Sequence, residues 1–255
     1  MKLSESTCLV TGTSRGIGRA LAEELSERGA RVLAATRDGA HAPTAGGRIV
    51  PVALDLSSRE SIDAGCDELG DRLREVDVLV NNAGSFTAGQ LETQDIDEIY
   101  ELFQVNLVGL THLTRRVLPL MLERGSGKIV NHSSFVGYVH FPGLSTYAAS
   151  KAGVSAFTEC LRRELEGTGV GTLEIVTGGV DTQMLQGAAE DLDEHTDPSG
   201  WQWMEPDDWA AEIADAIEKD TQTLQPPGKA RIGKVMASLP VFVLDALSER
   251  GFERT

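Results

Sequence analysis

The sequence predicts an α/β fold, a single domain doubly wound about a parallel sheet of about seven strands with helices on both faces. Three observations predict it. Short β-branched and apolar runs alternate with longer segments of helical period, which is the pattern of βαβ units. A glycine-rich turn, TGTSRGIG at 11–18, follows the first run and leads directly into a helical pattern. No Pro-, Gly- or Ser-rich linker and no internal repeat divides the 255 residues, a length that can bury a sizeable core, so 1–255 is read as one domain.

In chain order, strands are expected at 7–11, 31–36, 49–55, 76–81, 128–133 and 172–177, with a weaker seventh at 221–225. Helices are expected between them, at 17–28, 59–74, 96–123, 146–166 and 206–219. Parallel strands need such crossovers, and strands covered on both faces read as near-continuous apolar runs, as VDVLV at 76–80 does. Ligands of such a sheet lie beyond the carboxyl ends of its strands. Two regions break the rhythm. Residues 183–205 are irregular and acidic and carry Trp201, Trp203 and Met204; they are expected to form a substrate loop. The Trp pair reads equally as a lid or as core packing. The tail at 235–255 is apolar, with Pro240 inside it and a helical stripe at Leu239, Phe242, Val243, Ala246 and Leu247. Packing on the domain, a dimer interface and contact with a membrane surface all remain open for that stripe.

Charge narrows the partners. A net charge of −16 argues against nucleic acid and against anionic membrane surfaces. Cys8, Cys66 and Cys160 are an odd number without metal-ligand spacing and read as small apolar residues of a reducing compartment. The longest apolar candidate, 103–122, is interrupted by Asn106, His112, Arg115 and Arg116, so no stable membrane insertion is expected. The start of the chain lacks the apolar stretch of a signal peptide, and a cytoplasmic location is expected. His112 and His140 have no carboxylate or cysteine at metal spacing, and no metal is expected.

In the glycine loop, Gly12, Gly16 and Gly18 permit tight turning and close backbone approach, while the helix that follows offers its free N–H groups to a pyrophosphate. Dinucleotide sites usually carry an acid at the end of the second strand, bonded to a ribose hydroxyl. Here that strand ends LAATRD, with Thr36 at the position and Arg37 next, and Arg15 lies inside the loop. Two guanidinium groups near one ribose suit a 2′-phosphate, so NADP(H) is preferred to NAD(H), with Asp38 as a counter-signal. Further along, STYAASKAG at 145–153 sets Tyr147 and Lys151 one helical turn apart on one face. A nearby ammonium favours the phenolate.

Together these residues resemble the short-chain dehydrogenase/reductase family, which has a Rossmann fold. The resemblance runs over about 5–182. It is carried by TGTSRGIG at 11–18, Asp55 in LDLS, NNAG at 81–84, Asn106 in VNLVG, Ser134 in NHSSFVG, and then Tyr147 and Lys151. It implies an oxidoreductase that moves a hydride between a nicotinamide and a carbinol carbon, with Asn106, Ser134, Tyr147 and Lys151 as the catalytic group. Tyr147 is the implied acid/base. Depressing a phenol by two to three units from about 10 requires roughly 3–4 kcal/mol of preferential phenolate stabilisation, assigned to Lys151 and the oxidised nicotinamide. Lys151 would also bind the nicotinamide ribose, Ser134 would donate to the substrate oxygen, and Asn106 would hold a water that relays protons. Cofactor contacts are implied for Gly12, Ser14, Arg15, Gly16, Ile17 and Gly18 of the loop, and for Arg37, Asp55 and Leu56. They continue through Asn82, Ala83 and Gly84, Tyr147 and Lys151, to Gly178, Val180 and Thr182.

Some positions depart from the family pattern. Thr177 stands where a proline often precedes glycine, and His132 occupies a strand position that is usually apolar; a lone strand histidine reads as structural. The carboxyl end lacks the finish of many tetrameric members and looks similar to members handling lipophilic alcohols and ketones. The expected partner is a bulky apolar alcohol or ketone, and the expected assembly a homodimer or homotetramer. The alternative function is a non-catalytic NADP(H)-binding sensor or scaffold. Such a protein, or a non-redox relative of the dehalogenase kind, is expected to lose the Tyr, the Lys or the glycine loop, and all three are present.

Overall fold

The computed structural model of the chain describes residues 1–44, 47–180 and 204–226. Seven strands form one sheet: β1 (Thr7–Thr11), β2 (Arg31–Thr36), β3 (Ile49–Ala53), β4 (Val76–Asn81), β5 (Gly127–Ser134), β6 (Val170–Thr177) and β7 (Thr223–Leu224). Their order is β3-β2-β1-β4-β5-β6-β7, and every pairing is parallel. The helices are α1 (Gly16–Glu27), α2 (Arg59–Leu69), α3 (Asp71–Arg74), α4 (Ile96–Phe103), α5 (Leu110–Arg124), α6 (Ser145–Glu164) and α7 (Pro206–Glu218). The chain winds outward from β1 to β3, then crosses back to β4. That reversal opens a crevice at the carboxyl ends of β1 and β4.

Alternation along each strand feeds two cores, one on each face. Cys8, Val10, Val32, Val80, Val130 and Ile175 face Leu21 and Leu25 of α1 and Trp209, Ile213 and Ile217 of α7. Leu9, Leu33, Leu79 and Ile129 face Ile62 and Leu69 of α2, Leu113, Val117 and Met121 of α5, and Leu161 of α6. Arg28 clamps α1 to α7: its guanidinium bonds Glu24 at 2.7 Å, Asp215 at 2.8 Å, Glu218 at 3.0 Å and the Ala211 carbonyl at 3.2 Å.

The elements depart from the sequence expectation in three places. The helix expected over 59–74 breaks at Gly70, whose φ of +52° with ψ of −123° is a conformation that favours glycine. The helix expected over 96–123 contains a π-helical stretch, Gln104–Gly109, between α4 and α5. β3 ends at Ala53, so Asp55 lies in the following turn, where its carboxylate accepts from the backbone N–H and hydroxyl of Ser57. No helix among the described residues is long and apolar enough to cross a membrane. Thr182, the Trp201/Trp203 pair, 183–203 of the expected substrate loop and the tail at 235–255 lie outside the described residues.

Candidate active site

The glycine loop sits at the crevice because β1 ends one residue before it. Gly12 N–H and Thr13 N–H both donate to the Ala35 carbonyl, at 3.0 and 3.2 Å, which ties the loop to the end of β2. Gly12 has φ +72° and lies so close to Ala83 that a Cβ would be 2.7 Å from its Cα. A Cβ on Gly18 would lie 2.2 Å from the Gly12 carbonyl oxygen and 2.3 Å from Asn82 Nδ2. Arg15 takes the N-cap position of α1 and makes no side-chain cap, so the first N–H groups of that helix face outward without one. The buried Thr36 hydroxyl at the end of β2 has no hydrogen-bond partner. An anion cradle, an uncapped helix start and an orphaned hydroxyl in one row fit a dinucleotide: Gly12–Gly18 at the pyrophosphate and Thr36–Arg37 at a ribose. Ser14, Arg15 and Arg37 are exposed along this row, and Ile17 is half-buried beneath it.

On the other side of the crevice, α6 carries Tyr147 and Lys151 one turn apart, and β5 ends at Ser134. Ser134 neighbours the Tyr147 phenol and donates to the Thr177 carbonyl at 3.4 Å. Lys151, 6% exposed, donates from Nζ to the His132 carbonyl at 2.9 Å and lies 5.8 Å from the centre of the Tyr147 ring. Burial pulls the lysine down to about 8. It also pushes the Tyr147 phenol up to about 12, opposed by the neighbouring Ser134 hydroxyl. Without the nicotinamide, burial is the dominant influence on Tyr147. The site thus holds a protonated phenol beside the serine hydroxyl. A Cβ on Gly84 would lie 3.2 Å from Asn106 Oδ1 and 3.7 Å from Lys151 Nζ, so its hydrogen leaves the lysine head approachable.

Asn106 lies in the π-helical stretch with its amide committed. Oδ1 accepts from Ser85 N–H at 2.8 Å, and Nδ2 donates to the Ser85 carbonyl at 3.0 Å and to Ser150 Oγ at 3.1 Å. That side chain fastens the exit of β4. Asn82 is likewise engaged. Its N–H and that of Ala83 donate to Thr11 Oγ1 at 3.0 Å, and its Nδ2 donates to the Thr11 carbonyl at 2.9 Å and the Gly12 carbonyl at 3.4 Å. Leu56 is 3% exposed, and its carbonyl accepts from Gln104 Nε2 at 3.1 Å. Val180 is buried and bridges to Met204, while Gly178 is half-buried at the end of β6. Asp55 is half-buried in the turn beyond β3. Among the described residues no three His, Cys, Asp or Glu side chains converge at metal spacing.

Several site residues lack any local signal in the sequence. Phe86 packs its ring 4.6 Å from that of Tyr147, giving the tyrosine an apolar neighbour, and Phe135 and Phe141 pair with each other at 6.3 Å. His132 bonds Asn82 Oδ1 through Nδ1 at 2.9 Å and Thr177 Oγ1 through Nε2, and Trp209 Nε1 donates to the same Thr177 oxygen at 2.9 Å.

A parallel α/β sheet with a phosphate cradle and a Ser–Tyr–Lys group at its switch point defines a dinucleotide-binding protein with acid/base groups. The short chain dehydrogenase family model matches residues 6–193. The 3-oxoacyl-(acyl-carrier-protein) reductase FabG of Haemophilus influenzae is 36% identical over 182 residues, 70% of this chain and 75% of its own. That of Vibrio harveyi is 37% identical over 195 residues, 75% and 80% of the two chains. Among solved structures, a short-chain dehydrogenase from Streptomyces avermitilis superposes with a TM-score of 0.81 at 30% identity over 98% of both chains. One from Burkholderia cenocepacia in complex with NADP gives 0.83 at 26% identity, over 97% and 98%. A 3-ketoacyl-(acyl-carrier-protein) reductase from Brucella melitensis complexed with NADH gives 0.78 at 27% identity, over 90% and 100%. The chain belongs to the short-chain dehydrogenase family.

Proposed function

We propose that this chain is an NADP(H)-dependent oxidoreductase interconverting a secondary alcohol and a ketone, with a bulky apolar small molecule as substrate. The observation that carries the reading is the meeting of Ser134, Tyr147 and Lys151 across the crevice from the glycine loop. The nicotinamide supplies or takes up the hydride. Tyr147, a phenol at neutral pH, gives its proton to the carbonyl oxygen, which suits ketone reduction. Ser134 donates to the same oxygen as charge develops on it. Lys151 commits one N–H to the His132 carbonyl and keeps others for a ribose.

Cofactor choice rests on the second strand, because relatives are known with either nucleotide. Arg37 is exposed with no partner among the described residues, while Asp38 is bonded to Ala40 N–H at 2.9 Å and to His41 at 3.2 Å. The carboxylate is thus held by its own turn, and the guanidinium is available to a 2′-phosphate. Phe86, Phe135 and Phe141 favour an apolar substrate, and the 3-oxo group in the relatives' names is a ketone of the proposed class.

The test is a fluorescence titration of wild type and Arg37→Ala with NADPH and NADH, followed by a turnover screen of ketones of increasing size. Wild type binds NADPH tightly and reduces bulky ketones, and Arg37→Ala weakens NADPH by about tenfold to a hundredfold with NADH little changed. Equal losses for both nucleotides would remove the role of Arg37. Binding without turnover would favour a sensor, and absence of binding would overturn the reading.

A further inference from the structure

Asn82 Nδ2 faces two carbonyls, those of Thr11 and Gly12, so the amide nitrogen must point there and Oδ1 must point at His132. An amide oxygen only accepts, so His132 Nδ1 carries the hydrogen. Nε2 of a neutral imidazole is then an acceptor, and its partner, the Thr177 hydroxyl, must donate to it. That leaves the Thr177 oxygen to accept from Trp209 Nε1, which has a hydrogen and no lone pair to offer. Every bond runs one way, from Trp209 through Thr177, His132 and Asn82 to the glycine loop, and aligned bonds of this kind polarise one another. His132 and Thr177 are 8% exposed, and Trp209 is fully buried.

The same two residues carry the catalytic group on their main chain. Lys151 Nζ donates to the His132 carbonyl, and Ser134 Oγ to the Thr177 carbonyl. The far end of the chain of bonds, Asn82 Nδ2, lies where a Cβ on Gly18 would be 2.3 Å away, directly beneath the start of α1. Lys151 is the charged group that faces the imidazole; Asn82, Thr177 and Trp209, from the other elements around it, are neutral. We propose that His132 and Thr177 are positioning residues whose side chains set the glycine loop in register with Lys151 and Ser134, with Trp209 as the terminal donor. This rests on the nucleotide-binding reading above, because the loop so placed is the one assigned to the pyrophosphate.

The relay is tested with two pairs of variants, reading NADPH Kd, kcat and melting temperature together, and with ¹⁵N NMR of the imidazole. Thr177→Val keeps the shape and removes the hydroxyl, and His132→Leu removes both ring partners. Each is expected to raise the NADPH Kd about tenfold, because buried donors and acceptors next to the loop lose their partners. Thr177→Ser keeps the hydroxyl and His132→Asn keeps a donor to Asn82, so these recover binding to within about threefold. NMR is expected to show an Nδ1–H tautomer that does not titrate between pH 5 and 8. Wild-type Kd in Thr177→Val with only the melting temperature lowered would overturn the positioning role and leave the functional reading intact. So would an Nε2–H tautomer. The Thr177 pair carries the test if His132→Leu fails to fold. If wild type binds no nicotinamide nucleotide while the Nδ1–H tautomer is present, the functional reading fails and the bonds form a strut only.

Discussion

Burial moves the pH at which Tyr147, Lys151 and His132 titrate, in each case against the charged form. Tyr147 is held up at about 12 and Lys151 down at about 8, and His132 is held down to about 3 by burial and then by Lys151. For His132 the folded value lies below the ordinary 6.5, so the unfolded chain binds more protons between the two. The stability this histidine contributes is present above pH 6.5 and is lost as pH falls towards 3, about 2 kcal/mol of it by pH 5. Urea unfolding at pH 7 and pH 5 is expected to show wild type losing that much more than His132→Asn; equal losses would contradict it. Of the proposed catalytic group, the Tyr147–Lys151 pair was legible from its spacing of one turn, and Ser134 only through the family resemblance. The His132–Thr177–Trp209 bonds were not. Their members lie on three elements, 45 and 32 residues apart in sequence, and each alone reads as ordinary core.

Period and β-branched runs located every strand and most helix bounds, because burial on one face or both leaves a direct trace in composition. What local pattern missed were the breaks. Gly70 cuts a helix through a positive φ that its neighbours do not announce, and the π-helical stretch follows from Asn106 reaching Ser85, 21 residues away. Gly109 belongs to the same adjustment, since a Cβ there would lie 2.5 Å from the Leu56 carbonyl. The glycine loop gives the sharpest prediction at this scale. Gly18→Ala places its methyl against the Gly12 carbonyl and the Asn82 amide, so it is expected to cost about 1–3 kcal/mol and to weaken NADPH at least tenfold. Chemical denaturation and a nucleotide titration check it; wild-type values in both would show that the loop tolerates a side chain there.

For the whole molecule, the sheet order matters most, because it brings the ends of β1, β4, β5 and β6, far apart in sequence, to one crevice. Local period implies a parallel sheet but does not order its strands, so the meeting of site residues had to come from the resemblance and then from the structure. Composition gave the surface: a net charge of −16 is a self-repulsion that salt screens. Raising sodium chloride from about 0.05 to 0.5 M is therefore expected to raise the melting temperature by a few degrees. A fall would mean that ion pairs such as Arg28 with Asp215 and Glu218 outweigh the repulsion. The most direct measurement on the account is NADPH-dependent reduction of a bulky ketone by wild type and Tyr147→Phe, each shown to bind NADPH in the same preparation. The account predicts near-equal nucleotide binding and a loss of turnover of about 10²- to 10⁴-fold in the variant. Turnover within a few-fold of wild type would contradict it.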